Sequence, residues 1–351
     1  MQLRAYFPYI TGMIVLGIES SCDETSAAVL EDGIIRSNIV SSQLVHRQWG
    51  GVVPELASRA HQRLIVPIVQ EALLQSGVQK SELQGVAVTR GPGLIGALMV
   101  GVNFAKSFAY GLGIPCVGVN HLEAHLYSNF IDEPRPEYPF LCLLVSGGHT
   151  QLMLIREPFK HELLGETCDD AAGEAFDKVA KMMGLGFPGG PRIDALAREG
   201  NPAFVQFPRS FPTGSGFDFS FSGVKTSMLY WLRDHGYPYI DGVASTIEPK
   251  VAADLCASFQ AAVVDVLVSR ILKAAQHYHV RDVAVAGGVS ANSGLRDRLT
   301  AAALKGRIRL FVPQFDYCTD NAAMIAMLGW MKLRAGIHSD LTLTATATLP
   351  L

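Results

Sequence analysis

Short apolar runs alternate with amphipathic stretches along the whole chain. Met13 to Glu19 is an apolar run, and Thr25 to Glu31 resumes it after the polar insert Ser20-Ser21-Cys22-Asp23-Glu24. Asp32-Gly33 is a hairpin turn signal, and Ile34 to Val40 follows as a third strand. Pro54 to Leu74 has helical spacing, with apolar residues near Leu56, Ala60, Leu64, Val66 and Val69. Val86 to Thr89 and Cys116 to Val119 read as strands, with helices over Gly93 to Tyr110 and His121 to Phe130. The Pro-rich stretch Glu133 to Pro139 breaks the pattern and marks a domain boundary.

Beyond that break the opening returns. Phe140 to Val145 and Thr150 to Ile155 flank a tight turn at Ser146-Gly147-Gly148-His149. Gly184 to Pro191 and Phe207 to Gly223 are rich in Gly, Pro, Ser and Phe and read as functional loops. Val251 to Ala275, Ser290 to Ala303 and Ala322 to Leu333 are expected helices, with strands at Val283 to Ala286 and Ile308 to Val312. The pattern is that of an α/β protein whose two halves are structural duplicates without obvious residue identity. The division expected is residues 13–132 for the first domain, completed by helix 322–336, and 133–321 for the second. Residues 1–12 are expected to be either an extension or a mis-called start, and 337–351 a Thr-rich tail.

Length and composition agree with this. A chain of 351 residues exceeds the size at which a single core stops growing. It is 49% hydrophobic and 17% charged, which suits buried α/β layers and not disorder. No window holds the ~18 uninterrupted apolar residues of a membrane span. The nearest, Leu94 to Ala105, contains Asn103 and several glycines. The six cysteines are scattered with no CxxC pair, and residues 1–12 lack the order of a signal peptide, so a reduced, cytoplasmic setting without membrane contact is expected. A net charge of −3 carries no nucleic-acid signature, so any RNA contact must be a local patch or be shared with another subunit. The candidates are Arg209, Lys225, Arg296, Arg298 and the denser Lys305, Arg307, Arg309 cluster, against the plainer reading of solvated surface.

Three turns that follow apolar strands present small residues: Ser20 to Glu24, Ser146 to His149, and Gly287-Gly288-Val289-Ser290. Gly189-Gly190-Pro191 precedes the helix of Asp194 in a similar way. Such turns let backbone N–H groups approach phosphate oxygens, although Gly-Gly is also ordinary turn chemistry. His121-Leu122-Glu123-Ala124-His125 is sharper, because residues four apart on a helix share a face and both imidazoles can converge on one cation. Two surface histidines are the competing reading. The protease pattern HExxH is absent, and Glu123 lies roughly 200° around the helix from His121, pointing away from such a metal. Asp320 is the candidate third ligand, with helix N-capping as its alternative. Two histidines and a carboxylate with open positions suit iron or zinc acting as a Lewis acid. In Asp169 to Lys178, Asp177 sits too far into the helix to be only a dipole partner.

Taken together, these residues resemble the TsaD family, the tRNA adenosine threonylcarbamoyltransferases. The resemblance is carried by Gly17 to Thr25, Gly50 to Glu55, Gly91-Pro92-Gly93-Leu94, His121 to His125, Leu144 to Thr150, Asp169 to Lys178, Phe187 to Pro191, Asp218 to Gly223, Ala286 to Asn292 and Cys318 to Met324. It implies an actin-like ATPase (ASKHA) fold, two duplicated α/β domains with a nucleotide cleft between them that takes an ATP- or AMP-like moiety. It implies His121, His125 and Asp320 as ligands of one divalent metal, Fe2+ first and Zn2+ as the alternative. Leu144, Val145, Ser146, Gly147, Gly148, Asp177, Gly190 and Asn292 fall at substrate-binding positions, and Asp194 at a ribose contact.

The implied reaction moves the threonylcarbamoyl group of threonylcarbamoyl-AMP to N6 of the adenosine 3′ to the anticodon, in tRNAs reading codons that begin with A. Asp23 or Glu24 is the candidate proton acceptor. Partners of the TsaB and TsaE types are implied, together with tRNA. Leu144 stands where the archaeal and eukaryotic branch tends to have a metal-ligating Tyr, which implies a bacterial or organellar protein with one fewer protein ligand. A small-molecule kinase of the same superfamily, or a nucleotide-switched scaffold, would share the duplicated frame but would leave the two histidines and the distant Asp unexplained.

Overall fold

A computed structural model describes residues 12–43, 52–210, 216–237, 239–240, 243–244 and 246–351. The expected extension before Gly12, the Gly50-Gly51 pair and the middle of the 207–223 loop lie outside the described residues. The chain divides into two units, Met1–Arg135 with Pro313–Leu351, and Pro136–Val312. The return to the first unit thus begins at Pro313, and Asp320 travels with the first unit, not the second.

In the first unit β1 (Ile14–Glu19), β2 (Glu24–Glu31) and β3 (Ile34–Ser42) form an antiparallel meander. Asp32 and Gly33 turn β2 into β3 with φ of 49° and 81°, the two left-handed residues that a tight hairpin matching strand twist requires. β4 (Gly85–Gly91) and β5 (Cys116–Asn120) add in parallel, giving the order β3-β2-β1-β4-β5. Parallel neighbours need a crossover, supplied by α1 (Pro54–Ser76) before β4 and α2 (Ile95–Leu112) before β5. Side chains alternate across the sheet. Leu16, Ile18, Val86 and Val88 meet Ile65, Val69, Val102 and Ala105 of the two helices in one core. The opposite face carries Gly17 and Ala87, against which α9 (Ala322–Arg334) lies. A Cβ on Gly17 would come 2.5 Å from the Ala322 carbonyl oxygen, so this helix touches the sheet backbone to backbone.

The second unit repeats the plan. β6 (Phe140–Val145), β7 (Thr150–Glu157) and β8 (Lys160–Glu166) form the meander, and β11 (Asp282–Ala286) and β12 (Arg309–Phe311) extend it in parallel, in the order β12-β11-β6-β7-β8. A separate two-stranded hairpin, β9 (Tyr239–Ile240) and β10 (Val243–Ala244), stands outside this sheet. The helices are α4 (Ala172–Met182), α5 (Gly189–Ala197), α6 (Ser222–Asp234), α7 (Pro249–Tyr278) and α8 (Ser293–Leu304). Phe259, Val263, Leu267 and Ile271 of α7 pack with Leu141, Leu143, Val283 and Val285 of the sheet. By length and composition α2 and α7 could each cross a membrane, but the apolar window of α7 is 83% buried as the spine of this core.

Three features depart from the sequence pattern. β8 is an edge strand of charged composition, the kind that blunts an open sheet edge, and it shows no alternation to betray it. The 207–223 loop yields to α6 at Ser222, so the expected loop is shorter. Helix α8 starts at Ser293 and not at Ser290, because Asn292 takes an extended conformation and caps it.

Replacing Gly329 by Ala tests the close contact of α9. Alanine favours a helix by about 1 kcal/mol, but the new Cβ would collide with the Cβ of Ala87. Overpacking costs about 1–3 kcal/mol and outweighs the gain. Gly329→Ala is therefore expected to lower the melting temperature, and a variant as stable as the parent would refute the contact.

Candidate metal centre and substrate-binding turns

Strand β5 becomes α3 (His121–Tyr127) with no loop between them. Asn120 makes the change possible: its side-chain oxygen accepts from the N–H groups of Leu122 at 2.8 Å and Glu123 at 3.2 Å. All seven residues of the helix are buried. His121 and His125 stand one turn apart with ring centroids 4.8 Å apart. Asp320 Oδ1 lies 3.1 Å from Nε2 of His125 and 3.4 Å from Nε2 of His121. One ligand atom from each of the three residues falls within 4.8 Å of the others. Asp320 is not the cap of α9. Asn321 fills that role by accepting from the Met324 N–H at 3.0 Å, which corrects the simpler reading of Asp320 and leaves its carboxylate to the histidines.

Behind His121 stands Glu19, fully buried at the end of β1. Its Oε2 is 3.0 Å from His121 Nδ1 and accepts from Thr89 Oγ1 at 2.7 Å, while its Oε1 accepts from the Ser21 N–H. A carboxylate on Nδ1 fixes the tautomer that turns the Nε2 lone pair toward the site, as metal-binding histidines require. Nδ1 of His125 is buried with no hydrogen-bond partner among the described residues. Glu123 pairs with Lys332 of α9 at 2.5 Å, so it is turned away from the histidines and the protease geometry fails.

The electrostatics show the same demand for positive charge. Burial would raise the Asp320 carboxyl, yet the imidazoles of His121 and then His125 hold it far below the usual range. Burial would likewise lower His121, but Asp320 and Glu19 together keep it well above its ordinary value. Two carboxylates flank one imidazole. Converging imidazole nitrogens and a carboxylate, backed by a second carboxylate, fit a divalent cation.

The Ser20 to Glu24 insert is pinned beside this centre. Ser20 Oγ donates to the Ala97 carbonyl at 3.1 Å, and the Ser21 carbonyl accepts from the Leu94 N–H at 2.8 Å. His61 of α1 holds the far end, with Nε2 2.9 Å from the Cys22 carbonyl and Nδ1 2.8 Å from Thr25 Oγ1. The Glu24 carboxyl is pushed up to about 9, first by burial and then by the charges of Asp320 and Asp23. Burial also drives the Cys22 thiol up, which removes it as a nucleophile. A cation at Asp320 would offset the second cause of this rise and leave burial, the first, in place.

In the second unit the turns sort by their glycines. The Ser146 N–H donates to the His149 carbonyl at 2.8 Å and Ser146 Oγ accepts from the His149 N–H at 3.1 Å, closing the turn after β6. Leu144 and Val145 are wholly buried in β6 and offer no side-chain surface; the accessible part of their segment is Ser146, Gly147 and Gly148. A Cβ on Gly147, Gly148 or Gly190 would meet nothing within 4 Å, so packing does not require glycine at these positions. Their bare backbone stays open to a ligand. Gly287 is different: its φ is +83° and a Cβ would sit 2.5 Å from the Val145 carbonyl, so the fold itself needs that glycine and the phosphate-turn reading loses its main support there.

Asp177 accepts from the Gly189 N–H at 2.7 Å at the start of α5, and burial raises its carboxyl while the Gly189 and Gly190 amides oppose the rise. Asp194 and Asn292 come together at the start of α8. Asp194 Oδ1 accepts from Ser293 N and Oγ at 3.1 and 2.7 Å, and its Oδ2 from Arg198 at 3.1 Å. The Asn292 side chain accepts from the Leu295 N–H at 3.0 Å and donates to Gln260 Oε1 at 2.8 Å.

The basic residues singled out by sequence are mostly engaged. Arg209 and Arg298 bind Asp265, Lys225 binds Asp170, Arg296 donates to the Ser290 carbonyl, and Arg309 binds Asp282. Lys305 and Arg307 are exposed and form no ion pair with a described residue.

Sequence reasoning missed Glu19, Thr89 and His61. The available signal was a carboxylate ending the otherwise apolar run of β1, just ahead of the polar insert.

A three-stranded meander extended by two parallel strands, present twice, together with the glycine turns, defines an actin-like α/β ATPase fold. Among solved structures, HypF of T. kodakarensis aligns with a TM-score of 0.61 at 14% identity, covering 94% of this chain and 49% of that one, a likeness of fold alone. Residues 34–327 match the family described as TsaD, tRNA N6-adenosine threonylcarbamoyltransferase. Curated relatives bearing that name include those of Porphyromonas gingivalis, 53% identical over 92% of this chain and 94% of its own, and Salinibacter ruber, 54% identical over 97% and 100%. The chain belongs to the tRNA N6-adenosine threonylcarbamoyltransferase family, and it is a transferase of tRNA modification.

Two outcomes test the centre. Glu19→Gln keeps the shape but weakens the hold on His121, and divalent-metal affinity should fall about 10- to 100-fold; an unchanged dissociation constant would remove Glu19 from the site. The second concerns pH. In metal-free protein a carboxyl raised from 4.5 to about 9 contributes stability that is present below 4.5 and lost as pH rises through 9. Glu24→Gln removes that loss, so its stability relative to the parent should improve from pH 5 to pH 9 in denaturant melts. An equal difference at both pH values would contradict the shift.

Proposed function

We propose that the chain moves the threonylcarbamoyl group from threonylcarbamoyl-AMP to N6 of the adenosine 3′ to the anticodon, in tRNAs reading codons that begin with A. The observation that carries this reading is the convergence of His121, His125 and Asp320, beside Glu24, in a member of this family. The N6 lone pair is delocalised into the adenine ring, so the acyl donor must be activated, and a mixed anhydride with phosphate as leaving group supplies that activation. N6 attacks the carbamoyl carbon, the bond to the phosphate oxygen breaks, AMP departs, and one amine proton is lost.

His121, His125 and Asp320 hold a divalent cation, Fe2+ in this proposal with Zn2+ as the alternative that metal analysis distinguishes, and when bound it supplies Lewis-acid stabilisation of developing negative charge. The open backbone of Ser146, Gly147 and Gly148 holds the donor, with Gly190 and Asp177 at its adenylate end. Asp194 and Asn292 keep the start of α8 in place for the nucleotide. Asp23 or Glu24 takes the amine proton, Glu24 only in its ionised form.

The tRNA contact narrows to Lys305 and Arg307, the exposed members of their cluster. Proteins of the TsaB and TsaE types act with this chain, in the cytoplasm. A kinase or a scaffold would have no use for the His-His-Asp set. The decisive experiment is reconstitution with tRNA, threonylcarbamoyl-AMP and those partners, followed by nucleoside analysis. Asp320→Asn should lose both the bound metal and the modified nucleoside while the far-ultraviolet circular dichroism stays that of the parent. Full transfer by that variant would end the metal-assisted reading.

A further inference from the structure

The Thr-rich segment after α9 has no part in the chemistry above, yet it is fastened to the first unit at many points. Ser339 N–H donates to the Cys116 carbonyl and Lys106 Nζ to the Leu341 and Leu343 carbonyls, and Leu343 is buried in the core. Further on, Thr346 N–H donates to the Arg90 carbonyl at 2.8 Å and the Ala347 carbonyl accepts from Gly93 N–H at 3.1 Å. The segment crosses so close to β4 that a Cβ on Gly91 would collide with the Thr346 carbonyl. Its last described contacts are the Leu349 and Pro350 carbonyls, each 3.2 Å from Asn120 Nδ2.

Asn120 is the residue that starts the metal helix. A carboxamide has two lone pairs on oxygen and two N–H hydrogens on nitrogen. Here the oxygen caps Leu122 and Glu123 while the nitrogen reaches Leu349 and Pro350, so all four are used. Ser, Thr or Asp would cap the helix as well as Asn does; none of them can also donate two hydrogen bonds to the crossing segment. Capping alone therefore does not account for Asn at this position. His121 is the first residue of the helix, and its ring position follows directly from the backbone at this junction. We propose that the segment Thr346–Pro350 is a brace that sets the metal helix through Asn120, which makes Asn120 a positioning residue for the transfer. A cover for the β5 edge would serve that strand without gripping the side chain that starts the helix.

The inference rests on the metal reading of His121, His125 and Asp320, and Co2+ added to the metal-free full-length chain tests both separately. If the parent binds no Co2+, the metal reading itself fails. If the parent binds, Asn120→Ser keeps a neutral cap but loses the carboxamide donors. The expected result is about tenfold weaker Co2+ binding, an altered visible absorption band, and faster hydrogen exchange at the Leu122 and Glu123 amides of metal-free protein. Thr346→Pro, which removes the N–H that donates to Arg90 from outside the junction, should weaken Co2+ in the same direction. Its effect should add little in the Asn120→Ser background, because both act through one linkage. Should Thr346→Pro fail to fold, Asn120→Ser decides alone. Parent-like Co2+ affinity and band in Asn120→Ser, or weakening in Asn120→Ser that a folded Thr346→Pro does not share, would overturn the brace.

Discussion

The candidate centre of the first unit depends on one contact: Asp320 meets His125 across 195 positions of sequence. That meeting requires the chain to leave the first unit, complete the second, and return with α9 against the sheet face opposite α1 and α2. The return is possible because Gly17 and Gly329 let the helix approach the strands without intervening side chains. Asn321 then takes over the capping of α9, freeing Asp320 to turn toward the imidazoles. Each step removes a competing use of the carboxylate, and what remains is a half-buried negative group whose partners among the described residues are the two ring nitrogens.

Around that carboxylate the site is arranged in layers of decreasing freedom. Glu19, fixed by Thr89 and the Ser21 amide, fixes His121 in turn. The insert carrying Asp23 and Glu24 is tied to α1 through His61 and to α2 through Ser20. Burial first, and then the charges of Asp320 and Asp23, raise the Glu24 carboxyl.

The second unit uses the same strand plan for a different purpose. Its turn after β6 and the first turn of α5 leave backbone open at Gly147, Gly148 and Gly190, while Gly287 is consumed by packing against Val145. A count of Gly-Gly pairs treats these turns alike; the distance from each missing Cβ to its neighbours separates them. Asp194 and Asn292 likewise turn out to secure a helix start, so any contact they make to a nucleotide comes from groups already held rigid.

Local patterns were readable in the amino-acid order alone. The apolar runs gave the strands, Asp32-Gly33 gave the hairpin, and the four-residue spacing of His121 and His125 placed both rings on one helix face, because these features depend only on neighbours a few residues apart. The duplicated frame was visible for the same reason. Tertiary structure alone decided that Asp320 faces the two histidines while Asn321 caps α9, that Glu19 stands behind His121, that most of the basic residues are already paired, and which glycines stay open. Each of these depends on what a distant segment brings alongside, and no local period encodes such an approach.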